Sequence, residues 1–138
     1  MDDAKRQLVQ LWLCKASSDL RSVKILAAAD DAPLDVAVYH CQQAAEKALK
    51  GYLSFKDRPI QRTHDVEDLV RQAMMVEPTF ACVVADATTV KPYAVGFRYP
   101  STVLPLEPAR TDFDEALAAA QRIYDFVLSL LPTETHPT

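Results

Sequence analysis

The sequence predicts an all-α domain, a bundle of four or five helices. In several segments, apolar residues recur at steps of three and four, which is the spacing of one face of an amphipathic helix. The 138-residue chain holds only two glycines, and most of its nine prolines lie between those segments, where proline ends helices. Sparse glycine beside abundant Ala and Leu also favours helices over hairpins.

The first two predicted helices are long and amphipathic. The first spans residues 3–29, with apolar residues recurring from Val9 to Ala27. The second spans residues 35–55, with Asp35 as its predicted N-cap and several alanines on its apolar face, which permit close approach of another helix. Its opposite side is polar and carries His40, Gln43, Lys47 and Lys50. We interpret that stripe as either a ligand groove or an ordinary solvent-facing surface.

Two shorter segments follow. A helix with its apolar face on residues 66–73 comes after a turn, and its predicted cap is one of Thr63, His64 and Asp65. The next segment opens with Pro78 at the first position of a predicted helix. Its β-branched residues leave a strand open as the alternative.

The last third of the chain is a loop and a final helix. Three prolines make residues 98–110 an irregular, extended loop. The final helix begins near Thr111, with capping-box-like spacing, and stops at Pro132. One domain, residues 1–131, and a loose C-terminal tail, residues 132–138, are therefore predicted. The predicted core includes Leu13, Leu20, Cys41, Ala45, Leu49, Leu117 and Tyr124.

Charge and composition restrict the class of protein. The net charge of −4 argues against a protein that simply coats nucleic acid. Residues 47–62 are nevertheless basic and residues 107–125 acidic, so a local patch can still receive phosphates. The chain has neither a signal-peptide pattern nor an apolar run long enough for a membrane span, which predicts a cytoplasmic protein without membrane contact. Three widely spaced cysteines without a CxxC pattern predict buried free thiols and no metal site.

Four sequence blocks carry a resemblance to a known family. They are Lys15-Ala16-x-x-Asp19-Leu20, the run YHCQQAAEKALK over residues 39–50, Arg62-Thr63-His64-Asp65, and Phe97-Arg98-Tyr99-Pro100. The second block is long and specific, whereas the others gain weight from their order and spacing. Together they resemble the HEPN family of prokaryotic helical domains over about residues 8–130.

The resemblance implies an antiparallel four-helix bundle with an additional short helix, and frequent homodimerisation. It also implies a minimal nucleotidyltransferase as a partner, in a pair that resembles a toxin and its antitoxin. Many HEPN proteins are metal-independent ribonucleases with an Arg, four to six residues, and then a His. The alanine-rich face of the second helix and the family resemblance together predict a homodimer.

The chain departs from the ribonuclease pattern at its decisive point. Arg98 matches the family's arginine best, but the next histidine is His136, in the tail. Arg58 and His64 have the required spacing, yet they lie between the second and third helices, away from the family's site. Weak or no ribonuclease activity is therefore predicted.

We interpret the chain as a module that binds nucleotide or RNA phosphate through Arg98 and the basic second helix, without cofactor or metal. The alternatives are a metal-independent endoribonuclease with a non-standard site around Arg98, and a non-catalytic protein-interaction module. For Arg98 itself, a structural salt bridge to Glu46 or to a C-terminal carboxylate is the competing role. The candidate ligand-binding residues are Arg98, Tyr99, His40, Gln43, Lys47 and His64.

Overall fold

The computed structural model describes residues 1–60 and 62–138, and every regular element within them is helical. Its α-helices are α1 (Asp3–Ala27), α2 (Leu34–Phe55), α3 (Val66–Met74), α4 (Val84–Val90) and α5 (Arg110–Leu130). Short 3₁₀ segments span Pro78–Val83, Lys91–Ala94 and Thr133–Thr135. The described residues contain no strand, so the segment that opens at Pro78 is a 3₁₀ turn leading into α4.

Helix α2 lies at the centre of the bundle. Fourteen of its 22 residues are buried, because α1, α3 and α5 pack around it. Helices α1 and α2 run antiparallel, since Trp12 lies beside Gly51 while Asp19 contacts His40. A Cβ atom on Gly51 would lie 3.2 Å from the Cβ of Trp12, so the glycine allows the two helices to approach closely.

The alanine-rich face of α2 packs inside the chain. Its four fully buried alanines are Ala37, Ala44, Ala45 and Ala48. Because neighbouring helices of the same chain already cover this face, it offers no surface to a second copy. The alanine pattern therefore reflects helix packing within one bundle. As an argument for a homodimer, the pattern is wrong.

The core follows the predicted periodicity with one exception. Six of the seven predicted core residues are buried, whereas Leu117 is only partly buried against the core. Three aromatic rings meet at one end of α2: Phe80 lies 4.7 Å from Tyr52 and 4.9 Å from Phe126, centroid to centroid. Such tilted and edge-on pairs add to the stabilisation from burial alone.

The helix starts differ in part from those predicted. Asp65 caps α3 as predicted, since its side chain accepts a hydrogen bond from the backbone N–H of Asp68 at 3.2 Å. Asp35 is not a cap, because α2 already begins at Leu34, after Pro33. Its carboxylate instead lies in the first helical turn, where the helix dipole favours negative charge.

The tail packs against the bundle, so its predicted looseness is wrong. His136 Nε2 donates towards the carbonyl oxygens of Leu128 and Leu131, at 3.0 and 3.1 Å. The Gln10 side chain of α1 donates to the carbonyl oxygen of His136 at 3.0 Å, and Thr135 is fully buried. These bonds hold residues 132–138 against α1 and the end of α5.

The three cysteines differ in exposure. Cys41 is buried in α2 and Cys14 is half-buried, but Cys82 is exposed, which corrects the prediction that all three thiols are buried. Within residues 1–60 and 62–138, no helix is long and apolar enough to cross a membrane.

Candidate functional site

A tight turn presents Arg98 beside the start of α2. The backbone N–H of Gly96 donates to the carbonyl oxygen of Pro92 at 2.8 Å, and a Cβ atom on Gly96 would lie equally close to that oxygen. Glycine is therefore required here by space. The left-handed backbone angle belongs to the next residue, Phe97, whose φ is 68°. Such an angle costs a residue with a side chain about 1–2 kcal/mol, so packing of the surrounding turn must maintain it.

The guanidinium of Arg98 is held by aromatic rings and a carbonyl. Its central carbon lies 4.3 Å from the ring centre of Tyr39 and 5.5 Å from that of Tyr99. Nη1 donates to the carbonyl oxygen of Ala94 at 2.9 Å. In the part of the chain that the structure describes, no carboxylate lies within ion-pair distance of Arg98, and Glu46 pairs with Lys50 and His64 instead. Most of its five N–H donors are thus available to a ligand.

Two neighbouring cavities open around this arginine. The larger, about 330 Å³, lies between the start of α2 and the loop after Arg98; the smaller, about 190 Å³, extends along α2 to Tyr39. Both are lined by Asp35, Phe97 and Arg98. The larger cavity falls at the lower end of the range of about 300–1,000 Å³ that is common for small-molecule sites.

A buried carboxylate on α1 orients two of the predicted residues. Asp19, only 7% exposed, lies 2.8 Å from Nδ1 of His40 through one oxygen and 2.8 Å from Nζ of Lys47 through the other. The His40 ring also packs edge-on against Tyr39, at 5.4 Å between centroids. Tyr39 therefore connects the Asp19 cluster to Arg98.

A second buried carboxylate, Glu46, lies at the centre of another polar network. Glu46, 4% exposed, accepts hydrogen bonds from Gln42 at 3.1 Å, His64 Nδ1 at 2.9 Å and Lys50 Nζ at 3.1 Å. Gln43 donates in turn to the side-chain oxygen of Gln42 at 2.9 Å. This network links α2 to the segment before α3 and satisfies buried polar atoms, which are costly when unpaired.

The comparisons with known proteins decide the family. The sequence model of the HEPN domain family matches residues 9–130 of this chain. The chain belongs to the HEPN family. A crystal structure of an archaeal HEPN homologue, ST0689, shares 26% sequence identity and a TM-score of 0.71, covering 90% of this chain and 98% of its own. That of TT1696 from Thermus thermophilus shares 30% identity and a TM-score of 0.74, covering 89% and 98%. No functionally curated protein matches the chain.

This HEPN domain brings some of the predicted site residues together and separates others. Arg98 and Tyr99 lie side by side, and His40 adjoins them through Tyr39. Gln43 and His64 belong instead to the network around Glu46. That second group links structural elements and lines neither cavity beside Arg98.

The basic stripe of this HEPN domain is not an open surface. Lys47 is engaged by Asp19, and Lys50 is buried against Glu46. Carboxylates on α1 and on α2 itself therefore offset the charge of these two ammonium groups.

Two residues of this candidate site are not evident as site residues in the sequence. The sequence predicts Asp35 only as a helix cap, yet in the structure it lines both cavities beside Arg98. The signal that could have found it is its spacing, since Asp35 lies one turn before Tyr39 on the same helix face. In the sequence, Asp19 is only part of a motif. The signal that could have found it is its place beside Leu20 on the apolar face of α1, because a buried carboxylate needs a polar partner.

Proposed function

We propose that this HEPN domain binds the phosphate group of a nucleotide or RNA at Arg98. The observation that carries the proposal is the guanidinium of Arg98, which stacks at 4.3 Å on Tyr39 and donates to the carbonyl oxygen of Ala94, while none of the ion pairs among the described residues involves it. A guanidinium held in this way can form two parallel hydrogen bonds to phosphate oxygens. Holding it in place before binding reduces the entropy lost when the ligand arrives.

Tyr39 and Tyr99 support the same proposal. Tyr99 is exposed beside Arg98 and lines the larger cavity, so its ring is available to stack on a base. Nucleic-acid sites commonly combine a cationic group with aromatic rings in this way. The carboxylate of Asp35 lines the same cavities and would repel a chain of phosphates. The site therefore favours one phosphate contact over an extended surface for a polyanion.

The test is a titration of wild type and Arg98→Ala with fluorescently labelled short RNA and with mononucleotides. We expect Arg98→Ala to weaken binding by about 1.5–3 kcal/mol, the usual value of a hydrogen bond to a charged group. Affinity should also fall as salt is added, because phosphate contacts release counterions. Arg71→Ala is the matched control: it removes the same charge from the exposed face of α3, away from both cavities. Equal affinities for wild type and Arg98→Ala would favour a pure interaction module.

A ribonuclease is the second candidate function, and one observation favours it. Asp19 accepts from Nδ1 of His40, which leaves Nε2 of a half-buried imidazole next to Tyr39 and so near Arg98. A carboxylate-oriented imidazole is the arrangement that general acid–base catalysis uses. We still expect weak or no RNA cleavage. Robust metal-free cleavage that is lost in His40→Ala would instead establish the enzyme.

We also propose that two copies of the chain associate and that the pair acts with a minimal nucleotidyltransferase, as a toxin–antitoxin-like system. The support is family membership together with large apolar residues exposed along α1, namely Leu8, Leu11 and Ile25. Leu11 is 60% exposed and Ile25 65%. Light scattering at high micromolar concentration should give a dimer for wild type and a monomer for Leu11→Glu. Co-purification with a nucleotidyltransferase encoded by an adjacent gene tests the other partner.

A further inference from the structure

Among the described residues, the carboxylate of Asp35 has no partner, although a guanidinium lines the same cavities. Neither a hydrogen bond nor an ion pair within residues 1–60 and 62–138 involves it, and Arg98 contacts the Tyr39 ring and the Ala94 carbonyl oxygen instead. Asp35 is half-buried in the first turn of α2. An acid and a cation that share a cavity without pairing can be matched by a ligand that presents hydrogen-bond donors to the carboxylate and an anion to the guanidinium.

The lining of the larger cavity indicates what the rest of that ligand is like. They are largely apolar and come from Phe97, Tyr99, Leu104, Pro105 and Leu106. Leu106 is 86% exposed and Tyr99 63%, so these side chains are available to cover a flat, aromatic molecule. A heterocyclic base fits such a lining, since stacking on aromatic and apolar side chains accepts any base face.

The chemistry of Asp35 selects among the bases. Guanine presents two adjacent donors, N1–H and the N2 amino group, which match the two oxygens of a carboxylate. Adenine and cytosine place a ring-nitrogen acceptor next to their amino group, which would face the carboxylate oxygen unfavourably, and uracil offers a single N3–H between two carbonyl oxygens. A carboxylate therefore discriminates for guanine by attraction and against the other bases by repulsion.

We propose that the cavity between Asp35 and Arg98 is a guanosine phosphate site, in which Asp35 accepts from the guanine base and Arg98 binds the phosphate. This inference rests on the proposed phosphate-binding function and adds the identity of the base. Free guanosine 5′-monophosphate and an unpaired guanine within RNA share this chemistry. The left-handed backbone of Phe97, the residue before Arg98 and itself part of the cavity lining, is the kind of strained conformation that clusters at ligand sites.

The experiment compares guanosine and adenosine 5′-monophosphates, and the pentanucleotides UUGUU and UUAUU, by calorimetric titration of the full chain. We expect wild type to prefer guanine by about tenfold or more, the range set by one charge-assisted hydrogen-bond pair. Asp35→Asn should lose most of that preference, because the amide offers one acceptor and one donor in place of two acceptors. Asp31→Asn, an exposed position in the preceding loop, is the matched control and should retain the preference.

The outcomes separate this inference from the function on which it rests. Arg98-dependent binding with equal affinity for guanine and adenine would overturn the guanine site and leave phosphate binding intact. Binding to neither nucleotides nor RNA would overturn both. A preference seen only with UUGUU identifies the source as RNA, and a preference seen also with the mononucleotide identifies a free guanosine phosphate as sufficient. Thermal unfolding of Asp35→Asn checks that the variant is folded.

Discussion

The guanidinium carbon of Arg98 lies 4.3 Å from the ring centre of Tyr39, and this contact ties the loop after the 3₁₀ segment Lys91–Ala94 to the central helix. The loop itself contributes a left-handed Phe97 and a close Gly96–Pro92 contact. Arg98 is thus held from two sides, by the backbone turn before it and by the tyrosine below it. The position of the cationic group depends on both.

Tyr39→Leu should weaken RNA binding by about two- to fivefold, because an exposed cation–π contact contributes about 0.5–1 kcal/mol. Tyr39→Phe retains the ring and should bind like wild type. The two variants are compared by the same RNA titration. A loss of affinity in Tyr39→Phe would show that the hydroxyl group, and not the stack, matters.

Glu46→Ala should lower the free energy of unfolding by about 3–5 kcal/mol, because it leaves the buried ammonium of Lys50 without its counter-charge. The same change removes the acceptor of Gln42 and His64. Urea denaturation measures the loss. Asp114→Ala, which breaks the exposed pair with Arg110 on α5, is the control and should cost about 0.5 kcal/mol or less. Comparable losses in the two variants would contradict a structural role for the Glu46 network.

Folding stability should fall as pH rises above 9. Burial, reinforced by the charge of Asp19, raises the pKa of the Cys41 thiol from 9.0 to about 12. Above pH 9 the unfolded chain loses this proton while the folded chain keeps it, so the contribution is complete below pH 9 and declines towards pH 12. Burial also raises the pKa values of Tyr52 and Tyr124 above 10.0, which steepens the decline at higher pH.

The measurement is urea denaturation between pH 7 and 10.5 for wild type and Cys41→Ala. One proton of difference corresponds to a slope of about 1.4 kcal/mol per pH unit. Cys41→Ala should show a shallower decline over this range. The slope is compared, and not the absolute stability, because the substitution also leaves a small cavity. Parallel slopes would mean that Cys41 titrates normally in the folded protein.

Local patterns in the sequence were sufficient for the all-helical fold class, although the β-branched segment after Pro78 left a strand open. Steps of three and four along α1 and α2 predicted both helices and most of the core, since a helix buries one face whatever its neighbours are. The prolines after Arg98 predicted the long loop before α5, because proline excludes regular helix. The YHCQQAAEKALK run predicted the HEPN family, which the match over residues 9–130 confirms.

Tertiary structure alone decided which polar residues meet. The stripe of His40, Lys47 and Lys50 looked like one surface, yet two buried carboxylates, Asp19 on α1 and Glu46 on α2, divide it into two networks. Asp35 and Arg98 share a cavity because a loop returns to the start of α2. Helical periodicity fixes which side chains share a face, but not which element covers that face. Which element covers a face depends on how the helices are rotated against one another and on the path of the loops. Residues that are distant in sequence determine both together.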